Sequence, residues 1–374
     1  MAAPGETGVH LGSKSDPESL GGVTLDTWFD RAAAAAETTA SLQLALEVGA
    51  VAPTPASGNT AALWELLATI AAAEVEVARV IEPHLDALAI LAEARSADLD
   101  PDLSPIGVDD QSSWGVFAAE GRGMRLEASV DAGRWSLTGT KPWCSLASHL
   151  SHALVTAHTP TGRALFAVDL RGAGVRTHDE LWVSRGMPGV PSAPVDFDRV
   201  AATAVGGDGW YLRRSGFSWG GLGVAAIWWG GAIGVARAMI DAARAHEPDE
   251  FTLAHLGAVD QAIDGTRAVL ADASHRVDAG AYGRSNNADY GDHEPVLTDA
   301  DGRLLAARGR AVAARCAETV LERSSHSLGP GAFALDASFV RRHADLAMYV
   351  RQHHAERDDA HLGRMILAGG TPPW

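Results

Sequence analysis

The run Arg351-Gln-His353-His354-Ala-Glu356-Arg357-Asp358-Asp359 packs two imidazoles and three carboxylates into nine residues. Imidazoles titrate near neutrality, so such a run holds the ingredients for moving a proton at physiological pH. A charged, solvated helix end has the same composition, and both readings stand. A second stretch, Trp135-Ser-Leu-Thr-Gly-Thr-Lys141-Pro-Trp143-Cys-Ser145, sets an aromatic and a hydroxyl two residues apart on a partly alternating segment. Read alone, it is also a strand whose Trp143 is simply core. A third, His326-Ser-Leu-Gly329-Pro-Gly331-Ala-Phe, has glycines that let backbone approach a ligand closely, or that merely turn the chain between two helices.

Other chemistry is disfavoured. Cys144 and Cys316 are the two cysteines, and neither lies in a CxxC or a Cys/His cluster with zinc spacing. His149, His152 and His158 have no fixed acidic or cysteine partner and are expected at the surface. No metal site is expected. Gly220-Gly-Leu-Gly223 lacks the strand–turn–helix frame of a dinucleotide fingerprint.

The elements that position these residues fall into three blocks. Residues 1–22 are rich in Gly, Ser, Pro and charge and read as a disordered leader without the features of a signal peptide. Residues 23–108 are alanine-rich and helical, with one helix over 61–73, capped by Asn59 or Thr60, and a second over about 78–94. Residues 109–206 carry short apolar runs separated by Gly and Pro, the pattern of an antiparallel β-barrel. Residues 207–374 return to helical spacing in about four long stretches, with 280–295 as a loop. The 374 residues are 47% hydrophobic, enough to fill these cores. The most apolar stretch, 222–240, is interrupted by glycines and Arg237 and reads as a buried helix, not a membrane span. A formal net charge of −17 disfavours nucleic acid and anionic membranes as partners. Two cysteines far apart are what a reducing cytoplasm permits.

An α–β–α chain with these motifs resembles the acyl-CoA dehydrogenase superfamily over nearly everything after residue 24. The resemblance implies an α+β fold with an N-terminal helical domain, a middle β-barrel and a C-terminal four-helix bundle. Trp135 to Ser145 is its best-kept piece. There the family packs the second aromatic against a flavin ring and offers a hydroxyl and backbone N–H to the ring's hydride-accepting edge, which implies those roles for Trp143 and Ser145. A tryptophan face excludes water from the ring, and a donor beside the reactive nitrogen steadies the arriving hydride. Ala119 and Glu120 fall where relatives bind the pyrimidine edge and pyrophosphate of FAD; Ala119 stands in place of a threonine, leaving only backbone N–H groups to serve. His326, Gly329 and Gly331 match a turn that in relatives reaches FAD held mainly by a neighbouring subunit, which implies a homodimer or homotetramer.

Dehydrogenation at Cα–Cβ of an acyl thioester needs a carboxylate to take the Cα proton. The family's Tyr-Glu-Gly-Thr loop is absent, and Glu356 is the nearest carboxylate to its place. No acid lies between Phe217 and Ala236, where other relatives carry the base. On the dehydrogenase reading the cofactor is FAD, the substrate an acyl thioester, and an electron-acceptor protein a possible partner. The alternative is a flavin monooxygenase of the same fold, fed reduced FMN by a separate reductase, with His353 beside the flavin. A third reading is a flavin-losing relative with a binding role.

Overall fold

The structure, a computed structural model, describes residues 7–12, 20–245, 247–285 and 299–369. Four helices open the chain: α1 (Leu25–Ala34), α2 (Thr38–Gly49), α3 (Thr60–Ala73) and α4 (Val75–Ser96). The break between α3 and α4 falls at Glu74, whose extended backbone ends one helix and starts the next. Pro83 lies inside α4 without ending it. The cap of α3 also differs from expectation. Asn59 makes no side-chain cap; instead Asp278, 218 residues further on, accepts from the backbone N–H of Thr60 at 3.0 Å and from its hydroxyl at 2.6 Å. A carboxylate at a helix N-terminus satisfies orphan donors and opposes the helix dipole, so this cap also fastens α3 to a distant helix.

Seven strands follow: β1 (Trp114–Phe117), β2 (Leu126–Asp131), β3 (Arg134–Ser145), β4 (His152–His158), β5 (Arg163–Asp169), β6 (Val175–Thr177) and β7 (Ser192–Ala204). Strands β4, β2, β3, β7 and β5 pair in that order and β5 returns to β4, which closes a five-stranded barrel; β1 adds in parallel to β4 and β6 to β7. Buried Leu137, Val155, Phe166, Val195 and Phe197 belong to its interior. The remaining elements are α5 (Trp210–Arg213), α6 (Gly216–Ala245), α7 (Glu250–Ser285), α8 (Asp299–Leu335), α9 (Ala337–Tyr349) and α10 (Glu356–Ala368). The expected loop over 280–295 lies largely outside the described residues.

Helix α6 is the hub. By length and composition it could cross a membrane, but 78% of its apolar window is buried inside the protein, which is how a core helix satisfies the same pattern. Gly230 and Gly234 place its backbone against α3, where a Cβ on Gly230 would collide with the Ala68 carbonyl and one on Gly234 would sit 2.5 Å from that of Ala72. One hydrophobic core runs continuously from the first helices through the barrel to α8 and α9.

Residues 7–12, assigned to the disordered leader by composition, are instead fixed on this core. Val9 and Leu11 are buried, and their backbone N–H groups donate to Thr69 Oγ1 at 2.9 Å and Glu65 Oε1 at 2.6 Å. Two apolar side chains and two paired amides offset the ordering entropy that composition alone cannot weigh. His152 departs from its expected surface position as well. It is fully buried 5.0 Å from the Trp114 ring, with Ser151 Oγ on one ring nitrogen and the Ile106 carbonyl on the other.

Candidate active site

The segment Lys141–Ser145 ends β3 at an irregularity. Lys141 pairs with Val195 and Cys144 with Ala193, so three steps on β3 face two on β7. The extra residue is a bulge, the one place in a sheet interior that accommodates Pro142, which has no N–H to give the ladder. Trp143 takes the left-handed conformation there, φ 59°, and leaves its side chain 57% exposed. A bulky residue with positive φ costs on the order of 1–3 kcal/mol, and a large exposed indole forgoes burial as well. The arrangement sets a flat aromatic face toward solvent at the rim of the barrel.

The loop after β1 lies beside this bulge. A Cβ on Gly121 would come within 2.9 Å of Pro142 Cγ, and Lys141 Nζ reaches Glu120 Oε1 at 3.0 Å. The structure therefore brings the loop carrying Ala119 and Glu120, both exposed, against Lys141 and Pro142 of the bulge. Glu120 is already engaged by two cations, Lys141 and Arg163 at 3.2 Å, and by the His158 ring at 3.1 Å. Burial pushes its pKa up, but the hydrogen bonds from Lys141 and His158 outweigh that and hold the carboxyl below its ordinary value. Lys141 itself is 2% exposed and anchors the strand to the loop.

Ser145 points the other way, into the protein. Its Oγ lies 2.8 Å from Ser192 Oγ and accepts from Arg79 Nη2 at 3.0 Å. Arg79 opens a cluster that no sequence motif marks. On α4, Arg79 and Glu82 are one turn apart and paired at 3.0 Å, both nearly buried. The hydroxyl of Tyr349, at the end of α9, donates to the same Glu82 oxygen at 3.5 Å. Burial lifts the Glu82 carboxyl to about 7, with Arg79 opposing the rise. Trp228 of α6 meets the Tyr349 ring edge-on, and the Arg310 guanidinium sits 4.7 Å from the Trp228 ring centroid.

His353 closes this cluster from the chain just before α10. Its ring lies 6.3 Å from that of Trp228, and 9% of its side chain is exposed. The backbone N–H of Ala355 donates to Nδ1 at 3.2 Å. That bond requires Nδ1 to be unprotonated, so the neutral ring carries its hydrogen on Nε2. Ala355 reaches the geometry through a positive φ of 45°, a second strained non-glycine residue at the site. The nearest carboxylate oxygen to Nε2, on Asp358, is 3.9 Å away, beyond hydrogen-bond reach. Burial depresses the His353 pKa; Asp358 opposes the shift and Arg310 adds to it. The shift favours the neutral ring, whose one N–H donor is then on Nε2.

Glu356, the first residue of α10, is exposed and outside this cluster. His326 is exposed near the end of α8, with its ring 5.8 Å from His255. Gly329 has φ 61°, and the kink it makes together with Pro330 splits α8; Gly331 follows at the surface. This turn lies in α8 rather than in the barrel that carries Lys141–Ser145. The sequence signal that could have exposed the missed cluster is weak: Arg79 and Glu82 are three apart, the spacing of an ordinary surface ion pair. No metal-ligating group of three or more His, Cys, Asp or Glu occurs among the described residues.

No protein-family model matches the sequence, and no curated protein is significantly similar to it. Solved structures, however, share its fold. The nitrososynthase of Micromonospora carbonacea var. africana aligns with TM-score 0.69 and 19% identity over 86% of this chain and 89% of its own. TdsC of Paenibacillus sp. A11-2, a dibenzothiophene monooxygenase solved with FMN and indole, aligns at 0.70 and 19% over 92% and 98%. The methanesulfinate monooxygenase MsuC of Pseudomonas fluorescens aligns at 0.69 and 15% over 92% and 98%. At such identities the likeness is one of fold, and with the closed barrel between two helical blocks it gives this chain the architecture of the acyl-CoA dehydrogenase-type flavin enzymes.

Proposed function

We propose that this protein is a flavin-dependent monooxygenase that binds reduced flavin against Trp143 and oxygenates a small molecule next to His353. The observation that carries the choice is the contrast between His353 and Glu356. The imidazole is nearly buried, held in one tautomer and set among Trp228, Arg310 and Tyr349. The carboxylate lies exposed at a helix start. A group that moves protons beside a reacting centre needs the first kind of environment.

A planar isoalloxazine fits the bulge on two counts: the exposed indole gives it a face, and the loop at Ala119–Gly121 supplies backbone beside that face. When bound and reduced, the flavin supplies the two electrons with which molecular oxygen is activated. Trp143 would exclude water from the ring, and Ser145, fixed by Arg79 and Ser192, would hold the strand end in register. His353 would donate its Nε2 hydrogen to the departing or developing oxygen function. FMN is the flavin this reading favours over the FAD implied by the dehydrogenase resemblance. Ala119 has no hydroxyl for a larger flavin, Glu120 is already engaged by Lys141, Arg163 and the His158 ring, and a solved neighbour of this fold holds FMN. A homodimer or homotetramer remains part of the proposal.

Dehydrogenation of an acyl thioester is the second reading, and one feature favours it: Glu82 is a nearly buried carboxylate lifted to about 7, as a proton-abstracting base requires. The two separate by experiment. Purified protein is mixed either with reduced FMN and oxygen or, loaded with FAD under argon, with acyl-CoA. Flavin reoxidation that depends on the protein supports the monooxygenase; bleaching of bound FAD by acyl-CoA overturns it.

A further inference from the structure

On another face of α6, away from the cluster just described, positions 229, 233, 236, 237 and 240 recur at helical spacing and face α7. Between the two helices lies a cleft of about 490 Å³, closed at one side by residues 8–10. Its walls are largely apolar, with Trp229, Ile233, Leu256, Val259 and Ile263 among them. Sites of roughly 300–1,000 Å³ with apolar walls and a few polar groups are the usual form of a small-molecule pocket.

The polar content of this cleft is specific. Arg237 donates from Nη2 to the Thr7 carbonyl at 2.8 Å and stacks its guanidinium 5.4 Å over the Phe29 ring. Its Nη1 is buried and has no hydrogen-bond partner among the described residues. A buried, unpartnered donor on a charged group is costly, and an acceptor would remove that cost. Arg267 contributes a second cation; it is tied through Nε to Asp264 at 2.9 Å and through Nη1 to the Leu11 carbonyl at 2.9 Å. Asp260, the one carboxylate among the described residues lining the cleft, is exposed to solvent. Asp26 lies near Arg237 but already accepts from Thr7 and Gly8, and Asp241 is exposed.

We propose that the α6–α7 cleft is a binding site, separate from the flavin face, for an amphipathic monoanion: a carboxylate on Arg237 with a short hydrocarbon body against Trp229, Ile233 and Val259. Neither the flavin reading nor the monooxygenase reading is needed for it. Charge sets the head group and apolar area the tail, so a ligand with the same tail and a different head isolates the guanidinium's part.

The test is calorimetric titration of the full chain with octanoate, octan-1-ol and octylammonium, with FMN affinity measured in parallel. Octanoate is expected to bind at least tenfold more tightly than either of the others. Arg237→Met should abolish that preference, and Leu256→Trp, which fills the cleft without touching Arg237, should weaken all three ligands while leaving FMN affinity unchanged. Equal binding of octanoate and octanol by the unaltered protein overturns the proposal, even if Arg237→Met fails to fold. So does absence of octanoate binding. Intact FMN binding alongside either result would sink this site and leave the flavin reading standing.

Discussion

The bulge at Pro142–Trp143 and the cluster around Glu82, which meets β3 only at Ser145, store free energy in opposite ways. At the bulge the cost is conformational and hydrophobic: a left-handed tryptophan with its indole in solvent. In the cluster it is electrostatic, with Arg79, Glu82 and Arg310 drawn out of water and compensated by one another. The first kind is relieved by a flat partner from outside; the second is already balanced inside. A site that takes up a planar cofactor on one side and controls protons on the other needs both kinds, joined here by the Arg79–Ser145 hydrogen bond.

Breaking the balance on the inner side should have the largest effect. Arg79→Met leaves Glu82 buried without its cation and is predicted to cost about 3–5 kcal/mol of stability in denaturant unfolding, since orphaning one member of a buried pair costs that much. Adding Glu82→Gln should restore a good part of it; no rescue would mean that the pair is not the unit described. His353→Asn comes next. It should fold normally and lose roughly 10²–10⁴ in oxygenation rate, the usual contribution of a placed proton donor, and a loss below threefold would remove His353 from the site. On the outer side, Trp143→Ala should weaken flavin binding by about tenfold, or 1.4 kcal/mol.

Smaller and subtler is the pH signature. The native Glu82 carboxyl is raised from 4.5 to about 7, so the folded state binds the extra proton. Its stabilising effect is complete below pH 4.5, falls as the pH rises toward 7, and is flat above. Glu76 and Asp345, raised mainly by burial to about 7 and about 6, add slopes of the same sign. Glu82→Gln should therefore flatten the stability–pH curve in this window without abolishing the slope. The smallest effect is expected at Glu356→Gln, where oxygenation should change by less than twofold.

Much of the architecture was legible because it follows from period and punctuation. Helical spacing, short apolar runs and Gly/Pro spacing carried the α–β–α order, and the Lys141–Ser145 stretch carried the barrel rim. What the sequence hid was tertiary. Asp278 caps a helix 218 residues away, Val9 and Leu11 are ordered by contacts with α3, and His152 is buried against Trp114. The Arg79–Glu82–Tyr349 cluster is assembled from α4 and α9, and no local pattern distinguishes its ion pair from a solvated one. His353 and Glu356 are three residues apart and look interchangeable until the turn at Ala355 sends one inward and the other out.

The most direct measurement is stopped-flow reoxidation of reduced FMN by oxygen with and without the protein, repeated with Trp143→Ala. The account predicts that the protein changes the reoxidation kinetics at stoichiometric concentration and that the variant loses most of the effect. Reoxidation identical to that of free flavin, or an effect untouched by removing the indole, would contradict it.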